Sequence, residues 1–306
     1  MQQAQQIAII GVPLDMGAGR RGVDMGSSAI RYTRLNQRLG AIGHTVHDMG
    51  NIGVPLAETF PKPDPTERLH HLEPIAAVCA DLAQQVAGHV AAGRFPLVLG
   101  GDHSIALGSV AGATRGRKLG LIWIDAHADF NTAETSPSGN IHGMPLAALT
   151  GHGHPALTTV NGFASDSVPL VQPSHVALIG VRDVDPLERV ALAASGVHTF
   201  SMHDIDRMGI GSVMEQALRI VSRGTDGIHV SFDLDVLDPR EAPGVGTPVP
   251  GGISYREAHL AMELIAQTDM LGSLDLVEVN PILDERNITA ELATTLALSA
   301  LGKRIL

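Results

Sequence analysis

Two patterns in the sequence predict an α/β fold: a single three-layer domain with a central, mostly parallel sheet of eight strands and helices on both faces. First, short apolar runs recur along the chain and mostly alternate with segments of helical character, as in a parallel sheet that is covered on both sides. Second, several of these runs end in polar turns. No linker, low-complexity tract or internal repeat divides the chain, so one domain is expected over residues 1–306.

The predicted elements follow from apolar runs and their flanking turn and cap residues. Strands are predicted over residues 7–12, 45–49, 95–99, 120–125, 175–181, 196–200, 227–232 and 271–279. Helices are predicted from Ser27 or Ser28 to about residue 39, from Pro65-Thr66 to Gly93, after Ser104, and over residues 186–194, 213–221, 254–266 and 290–301. His203-Asp204 reads as the start of a further helix.

Composition narrows the class of protein. Hydrophobic residues make up 44% of the chain and charged residues 17%, which allows a sizeable core and argues against disorder. The formal net charge of −11 argues against a nucleic acid or an anionic membrane as partner. Cys79 is the only cysteine, so no internal disulfide can form. The polar N-terminus lacks a signal peptide and no apolar run spans a bilayer, so a soluble, cytoplasmic protein is expected.

The turn after the fourth predicted strand carries Asp125, His127 and Asp129 at every second position. In an extended segment alternate side chains point the same way, so these three can face one point. Two carboxylates and an imidazole placed together without a cation repel one another and pay for desolvation. The motif therefore favours a bound metal over a solvated polar loop.

Other predicted strands end in residues of the same type. His103 follows Gly100-Gly101-Asp102, and Asp233 and Asp235 follow the strand at 227–232. Sites in open α/β sheets lie beyond the carboxyl ends of the strands. Together these residues offer four carboxylates and two imidazoles, a set that two divalent cations would balance and that favours manganese over zinc. Asp102 is either a helix cap or a partner of a ligand. A two-metal hydrolase is the generic prediction.

Weaker patterns receive no role. Gly17, Gly19 and Gly22 fit the dinucleotide pattern G-x-G-x-x-G, but the next helix is predicted only near Ser27, too far away for a phosphate at its N-terminus. A glycine-rich loop at the edge of a cleft is the preferred interpretation, with Arg20 and Arg21 pairing with carboxylates. Five histidines are also left unassigned. His70, His71 and His89 are interpreted as surface or packing residues of the predicted long helix, and His152 and His154 lie in a loop with no carboxylate nearby.

Taken together, the motifs resemble those of the arginase family of ureohydrolases, in collinear order over nearly the whole chain. The metal-type motifs that carry the resemblance are Gly100-Gly-Asp-His103-Ser, Asp125-Ala-His127-Ala-Asp129 and Ser231-Phe-Asp233-Leu-Asp235-Val-Leu-Asp-Pro239. Further matches are Gly11-Val-Pro, Arg21-Gly-Val-Asp-Met-Gly, Arg182-Asp-Val-Asp-Pro186, Gly246-Thr-Pro and Asp275-Leu-Val-Glu278-Val-Asn-Pro. The polar segment at residues 131–143, called the lid loop below, is more particular to arginases than to agmatinases. The resemblance implies an arginase/deacetylase-like fold.

The resemblance also implies residue roles. One Mn²⁺ would be held by His103, Asp125, Asp129 and Asp233, and a second by Asp125, His127, Asp233 and Asp235. Hydroxide shared by the two ions would attack the guanidinium of L-arginine and give L-ornithine and urea. The implied catalytic residues are Asp129 for proton transfer, His142 as proton shuttle and Glu278 to orient the guanidinium. The implied substrate-binding residues are Asn131, Ser138, Asp185, Glu188, Thr247 and Glu278.

Three alternatives stay open at this point. Another amidinohydrolase, such as an agmatinase or a guanidinobutyrase, would share the metal motifs. A single-zinc deacetylase on a similar fold is disfavoured, because one ion cannot use both His103 and Asp235 together with the remaining ligands. A nucleotide-binding or purely interacting protein is the third. The resemblance further implies a homotrimer or homohexamer that binds a small-molecule substrate.

Overall fold

Eight strands form one sheet in the computed structural model, which describes residues 4–62, 64, 66–164 and 168–303. Most of these strands are short and almost wholly buried. They are β1 (Gln6–Gly11), β2 (Thr45–Asn51), β3 (Phe95–Leu99), β4 (Leu119–Ile124), β5 (Val176–Val181), β6 (His198–Ser201), β7 (Gly227–Asp233) and β8 (Leu271–Val277). All eight predicted strands are confirmed, with ends that differ by only a few residues.

The strands lie in the order β2-β1-β3-β8-β7-β4-β5-β6, and every pairing between them is parallel. Strands β3 and β4 follow one another along the chain but are separated in the sheet by β8 and β7. Leu97 of β3 pairs with Leu274 of β8, and Ile124 of β4 pairs with Phe232 of β7. The carboxyl ends of these four central strands therefore meet at the middle of one edge.

Ten α-helices connect the strands in the described ranges and cover both faces of the sheet. They are α1 (Gly26–Tyr32), α2 (Leu35–Ala41), α3 (Leu72–Ala91), α4 (Ala106–Thr114), α5 (Pro145–Leu149), α6 (Pro155–Thr158), α7 (Pro186–Ser195), α8 (Met202–Val221), α9 (Tyr255–Ala266) and α10 (Ile288–Ala300). None of the helices in this part of the chain combines the length and the apolar character needed to cross a membrane.

Strand β4 shows why the apolar runs become central strands. All six of its residues are buried. Ile122 and Ile124 pack on one face with residues of α1, α2, α8, α9 and α10. Leu121 and Trp123 pack on the other face with residues of α3, α4 and α5. Because side chains alternate between the two faces, a strand covered on both sides needs apolar residues at every position. The predicted three-layer α/β architecture is confirmed.

Three predicted helices differ from the structure because of local backbone conformation. The predicted helix after Ser27 is two helices, separated where Arg34 adopts a φ of 62°. The long helix predicted from Pro65-Thr66 begins only at Leu72, after His71 at a φ of 54°; Pro65 itself lies outside the described residues. The helix predicted over residues 213–221 begins at Met202, and a non-helical Gly209 joins it to the predicted start at His203.

Candidate metal and substrate site

His103 enters the site from the turn after β3. The backbone of Gly101 lies directly against the Leu14 carbonyl and leaves no room for a Cβ atom. The Asp102 carboxylate accepts a hydrogen bond from Ser104 N at 3.0 Å and one from Gly17 N at 2.8 Å. Asp102 thus caps the short helical turn that contains His103, which agrees with the first of its two predicted roles.

The turn after β4 carries Asp125, His127 and Asp129. Asp125 Oδ1 accepts a hydrogen bond from His127 N at 2.7 Å, and the backbone of His127 pairs in parallel with Asp183. The prediction that the three side chains point the same way assumed an extended backbone. That conformation ends before Asp129, which has a φ of 49°. A non-glycine residue in the left-handed region costs roughly 1–3 kcal/mol and is a frequent feature of functional sites.

Asp233 and Asp235 come from the end of β7. Asp233 Oδ1 accepts a hydrogen bond from Asp235 N at 2.8 Å and so caps a short helical turn, Leu234–Val236. Asp235 Oδ1 accepts from Ala126 N at 3.2 Å, between two ligand residues of the neighbouring turn. Its Oδ2 accepts from Thr247 Oγ1 at 3.1 Å. The two ligand-bearing turns are therefore tied to each other directly.

The structure brings all six predicted ligand residues together in what is called the ligand cluster below: His103, Asp125, His127, Asp129, Asp233 and Asp235. His103 Nδ1 lies 3.1 Å from Asp125 Oδ2, 3.1 Å from Asp129 Oδ2 and 3.2 Å from Asp233 Oδ2. His127 Nδ1 lies 3.0 Å from Asp235 Oδ2 and 3.4 Å from Asp125 Oδ1. The cluster thus contains two adjacent groups of ligand atoms, and Asp125 gives one oxygen to each.

Two atoms of the cluster support the view that its ligand atoms fit a divalent cation. Within the described residues, His103 Nδ1 and Asp129 Oδ2 are buried without a hydrogen-bond partner. His103 Nε2 lies 2.8 Å from Ser231 Oγ, and this contact directs Nδ1 toward the carboxylates. A buried polar atom that lacks a partner is costly. Oxygen donors with some imidazole suit a cation such as manganese better than they suit zinc.

The electrostatics of the cluster lead to the same conclusion. Burial tends to raise the pKa of Asp125, but His103 and His127 outweigh it and hold that pKa well below its usual range. Burial and the charge of Asp125 raise the pKa of Asp129 to about 7. Burial and neighbouring carboxylates also raise the pKa of Asp233. The raised pKa values of Asp129 and Asp233 show that ionisation of these carboxylates is opposed in the protein alone, and a bound cation would favour it.

Two supporting residues were not identified from the sequence. Trp123 Nε1 donates a hydrogen bond to Asp125 Oδ2 at 2.9 Å, and the Trp123 ring stacks on His103 with centroids 4.0 Å apart. Ser231 contacts the same imidazole. Each of these residues precedes a ligand aspartate by two positions in its strand. The strand alternation that placed Asp125 and Asp233 on one face could also have identified Trp123 and Ser231.

Glu278 and His142 lie next to the cluster. Glu278 follows β8 at a φ of 64°, and its Oε1 accepts hydrogen bonds from His103 N and from His142 Nδ1, both at 3.0 Å. Its Oε2 is buried without a partner among the described residues. Burial tends to lower the pKa of His142, but the hydrogen bond to Glu278 and the charges of Glu278, Asp102 and Asp129 together outweigh burial and raise that pKa to about 9.

A cavity opens above the cluster. Five of the six predicted substrate-binding residues line it, and Glu278 is not among its lining residues. The five are Asn131, Ser138, Asp185, Glu188 and Thr247. Asn131 Nδ2 donates to Asp185 Oδ2 at 3.0 Å. Ser136, Asn140 and Asp183 also line the cavity and were not predicted, although they lie in the same polar segments.

Glu188 makes structural contacts that the sequence did not indicate. Its Oε1 accepts from Phe130 N at 2.8 Å and its Oε2 from Asp185 N at 3.0 Å. The second bond belongs to a capping box at the start of α7. Burial raises the pKa of Glu188 to about 7. Glu188 therefore connects the start of α7 to Phe130, the residue after Asp129. A contact with substrate would be additional to these two structural hydrogen bonds.

The glycine-rich loop supports the lid loop. Gly17 O accepts a hydrogen bond from His142 N at 3.1 Å. Arg21 pairs with Asp15 at 2.5 Å and with Glu58 at 2.8 Å. Helix α1 is short and begins at Gly26. These contacts favour the edge-of-cleft interpretation over a phosphate site. His154 accepts a hydrogen bond from Ala156 N at the start of α6, away from the cluster.

The fold and the site together define an α/β protein with a candidate metal centre of aspartates and histidines at the carboxyl ends of central parallel strands. Comparison with known proteins identifies the family. Residues 5–302 match the sequence pattern of the Arginase family. The chain belongs to the arginase family and is a hydrolase.

Individual relatives agree over the full length. The arginase of Bacillus caldovelox is 51% identical over 301 residues, which cover 98% of this chain and 99% of that protein. The structure of the Bacillus caldovelox arginase superposes with a TM-score of 0.94 at 50% identity, covering 99% of this chain and 100% of that chain. The arginase of Entamoeba histolytica, solved in complex with L-ornithine, has a TM-score of 0.89 at 31% identity and covers 98% of this chain and 100% of that chain.

Proposed function

We propose that this enzyme hydrolyses L-arginine to L-ornithine and urea with two Mn²⁺ ions per chain. The observation that carries the proposal is the pair of adjacent ligand groups that share Asp125 at the base of the cavity. One ion would be held by His103, Asp125, Asp129 and Asp233. The other would be held by Asp125, His127, Asp233 and Asp235.

When bound, the two cations would supply a water of lowered pKa as nucleophile, which the resonance-stabilised guanidinium requires. The residues of the chain would supply orientation and proton transfer. Glu278 would bind the guanidinium through Oε2, the oxygen that has no hydrogen-bond partner among the described residues. Asp129 lines the cavity, and its carboxylate would take the proton of the attacking water and pass it to the departing nitrogen.

His142 would carry protons between the site and bulk solvent. The His142 side chain is 18% exposed and also donates a hydrogen bond to the buried Glu278, so it contacts both bulk solvent and the site. The glycine-rich loop holds it in place, because His142 N donates a hydrogen bond to Gly17 O. The raised pKa of His142 favours its protonated form, so it would donate a proton to the site and then be protonated again from solvent.

Recognition of the amino-acid end would fall to the outer residues of the cavity. Asn131 and Ser138 would donate hydrogen bonds to the α-carboxylate, and Asp185 would accept from the α-ammonium group with Glu188 assisting. Thr247 would line the reacting end, since it already donates to Asp235. The L-ornithine complex of the Entamoeba histolytica arginase supports an amino-acid ligand in this family.

Replacing Asp185 by alanine is expected to raise KM for L-arginine roughly 10- to 100-fold with little change in kcat, because a hydrogen bond to a charged group contributes about 1.5–3 kcal/mol. Steady-state urea release measures both constants. Asp185 is also the N-cap residue of α7. Asp185→Asn is therefore the companion variant, because asparagine caps a helix about as well as aspartate. A large fall in kcat at unchanged KM would contradict the assigned role.

The proposed reaction is tested by measuring urea release from arginine, agmatine and 4-guanidinobutyrate after chelation, with and without added Mn²⁺. We expect the chelated enzyme to be inactive, Mn²⁺ to restore activity, and kcat/KM to be highest for arginine. A higher kcat/KM for agmatine or 4-guanidinobutyrate would establish the alternative, another amidinohydrolase. Full activity after exhaustive chelation would exclude the metal-dependent mechanism altogether.

We further propose a cytoplasmic homotrimer or homohexamer that takes a small-molecule substrate and no nucleic acid. Family membership supports the assembly, and the formal net charge of −11 supports a cationic substrate over an anionic partner.

A further inference from the structure

Arg182, the first residue after β5, uses its side chain in an unusual way. Every hydrogen bond that the guanidinium makes to the described residues ends on a backbone carbonyl. Nη2 donates to Asp235 O at 2.8 Å and to Val249 O at 2.7 Å, and Nη1 donates to Val236 O at 3.0 Å. The other acceptors are the carbonyls of Gly180 and Leu237.

Two of these carbonyls, those of Asp235 and Val236, belong to the turn that presents Asp235 to the cluster, and a third, that of Leu237, directly follows it. The turn is a single short helical segment, Leu234–Val236. The last carbonyls of a helical segment lack partners within the segment and need donors from elsewhere. The planar guanidinium offers several N–H donors in a fixed geometry, whereas a lysine ammonium is a compact point on a flexible stem.

The backbone of Arg182 also holds the neighbouring ligand turn. Arg182 N donates to Ala126 O at 2.8 Å, and Asp183 N donates to the same carbonyl at 3.1 Å. Ala126 lies between Asp125 and His127. One residue therefore connects the turn that carries His127 with the turn that carries Asp235.

The rim loop, residues 243–252, joins the same arrangement. Val249 O of this loop accepts from both Nε and Nη2 of Arg182. Thr247 of the same loop donates to Asp235 Oδ2. Asp235 is therefore connected to the rim loop twice: its backbone through Arg182, and its side chain through Thr247.

From these contacts we infer that Arg182 is a positioning residue, which holds His127 and Asp235 at the separation that the cation position of Asp125, His127 and Asp235 requires. The inference rests on the proposed two-cation site. A positive charge next to a cation site opposes cation binding. Arg182 therefore favours binding through geometry, and its contacts reach only one of the two ligand groups.

The test is titration of Mn²⁺ into protein that has been made metal-free by chelation. Binding is monitored by calorimetry and by the electron paramagnetic resonance signal of free Mn²⁺. Wild type is expected to bind two ions per chain. Arg182→Met is expected to weaken one of them roughly 10- to 100-fold, the range found when groups behind a ligand are removed, and to leave the other unchanged. Arg182→Lys keeps the charge and is expected to weaken the same ion.

A matched control separates positioning from general stability. Arg31 also donates several hydrogen bonds from its guanidinium, to Asp48, Asn51 and Gly50 of the edge strand β2, and none of these partners is a ligand residue. Arg31→Met is expected to lower the thermal midpoint without changing either Mn²⁺ affinity. The affected ion is identified with His127→Ala: adding Arg182→Met to that variant should cause no further loss, because both changes act on one position.

The outcomes are distinct. Three results for Arg182→Met would overturn this inference but not the two-cation site. They are wild-type affinity for both ions, equal weakening of both ions, and tighter binding after loss of the charge. Wild-type affinities in Arg182→Lys would show that the guanidinium geometry is not required and would overturn the inference even if the methionine variant does not fold. Wild type that binds fewer than two ions would overturn the two-cation site and this inference together.

Discussion

Replacing Asp129 by asparagine is expected to lower kcat by roughly 10²- to 10⁴-fold, the usual contribution of a positioned general base. The amide has the shape of the carboxylate and keeps one oxygen as a ligand, but it cannot take a proton. Asp129 is well placed for that task, since it lines the cavity whereas Asp125 is fully buried beneath it. Single-turnover urea release, with metal content measured on the same sample, distinguishes lost proton transfer from lost metal.

The comparison for this variant is Asp206→Asn, the same chemical change on an exposed position of α8. It should behave as wild type in both measurements. Wild-type kcat in Asp129→Asn with bound metal would remove Asp129 from the mechanism. A loss of activity matched by an equal loss of metal would make Asp129 a ligand only.

Glu278→Gln is expected to reduce kcat/KM for arginine by roughly 10²- to 10⁴-fold, because removing one partner of a buried charge pair costs about 3–5 kcal/mol. The glutamine oxygen can replace Oε1 and keep the bonds from His103 N and His142. The amide nitrogen would then occupy the place of Oε2 and direct a donor at the donors of the guanidinium.

The separate contributions of Glu278 can be resolved by its two variants. Because Glu278→Gln preserves the Oε1 bonds, its thermal midpoint and Mn²⁺ affinity should stay near wild type. Glu278→Ala removes those bonds too and should lose stability as well as activity. If Glu278→Gln retained wild-type kcat/KM, the guanidinium would have to be oriented by another group.

Much of the sheet could be predicted from the sequence because its strands are short, apolar and covered on both faces. Strand β4 illustrates this, since each of its residues needs an apolar side chain. The helix ends were harder to predict. Arg34 and His71 adopt left-handed backbone conformations that nothing in their side chains indicates. The order of the strands also depends on pairings between distant segments, which local patterns do not encode.

The ligand cluster could be predicted for a different reason. Parallel strands end at one edge, so Asp and His residues after separate strands meet there. What supports them was less accessible. Trp123 carries a recognisable two-residue spacing from Asp125, but the Arg182 side chain donates to backbone carbonyls, which are the same for every residue type. Side-chain chemistry identifies ligands, whereas backbone acceptors become visible only in three dimensions.

The position of β7 and β8 has a consequence for synthesis of the protein. These two strands are the last in the chain, yet they fill the gap between β3 and β4 at the middle of the sheet. A growing polypeptide on the ribosome therefore holds two half-sheets with open inner edges until its final third emerges. Such edges invite wrong partners. Termination before β7 would leave the halves unjoined and remove Asp233, Asp235 and Glu278, and termination within or before β8 would still remove Glu278, so none of these shortened products could retain the complete centre.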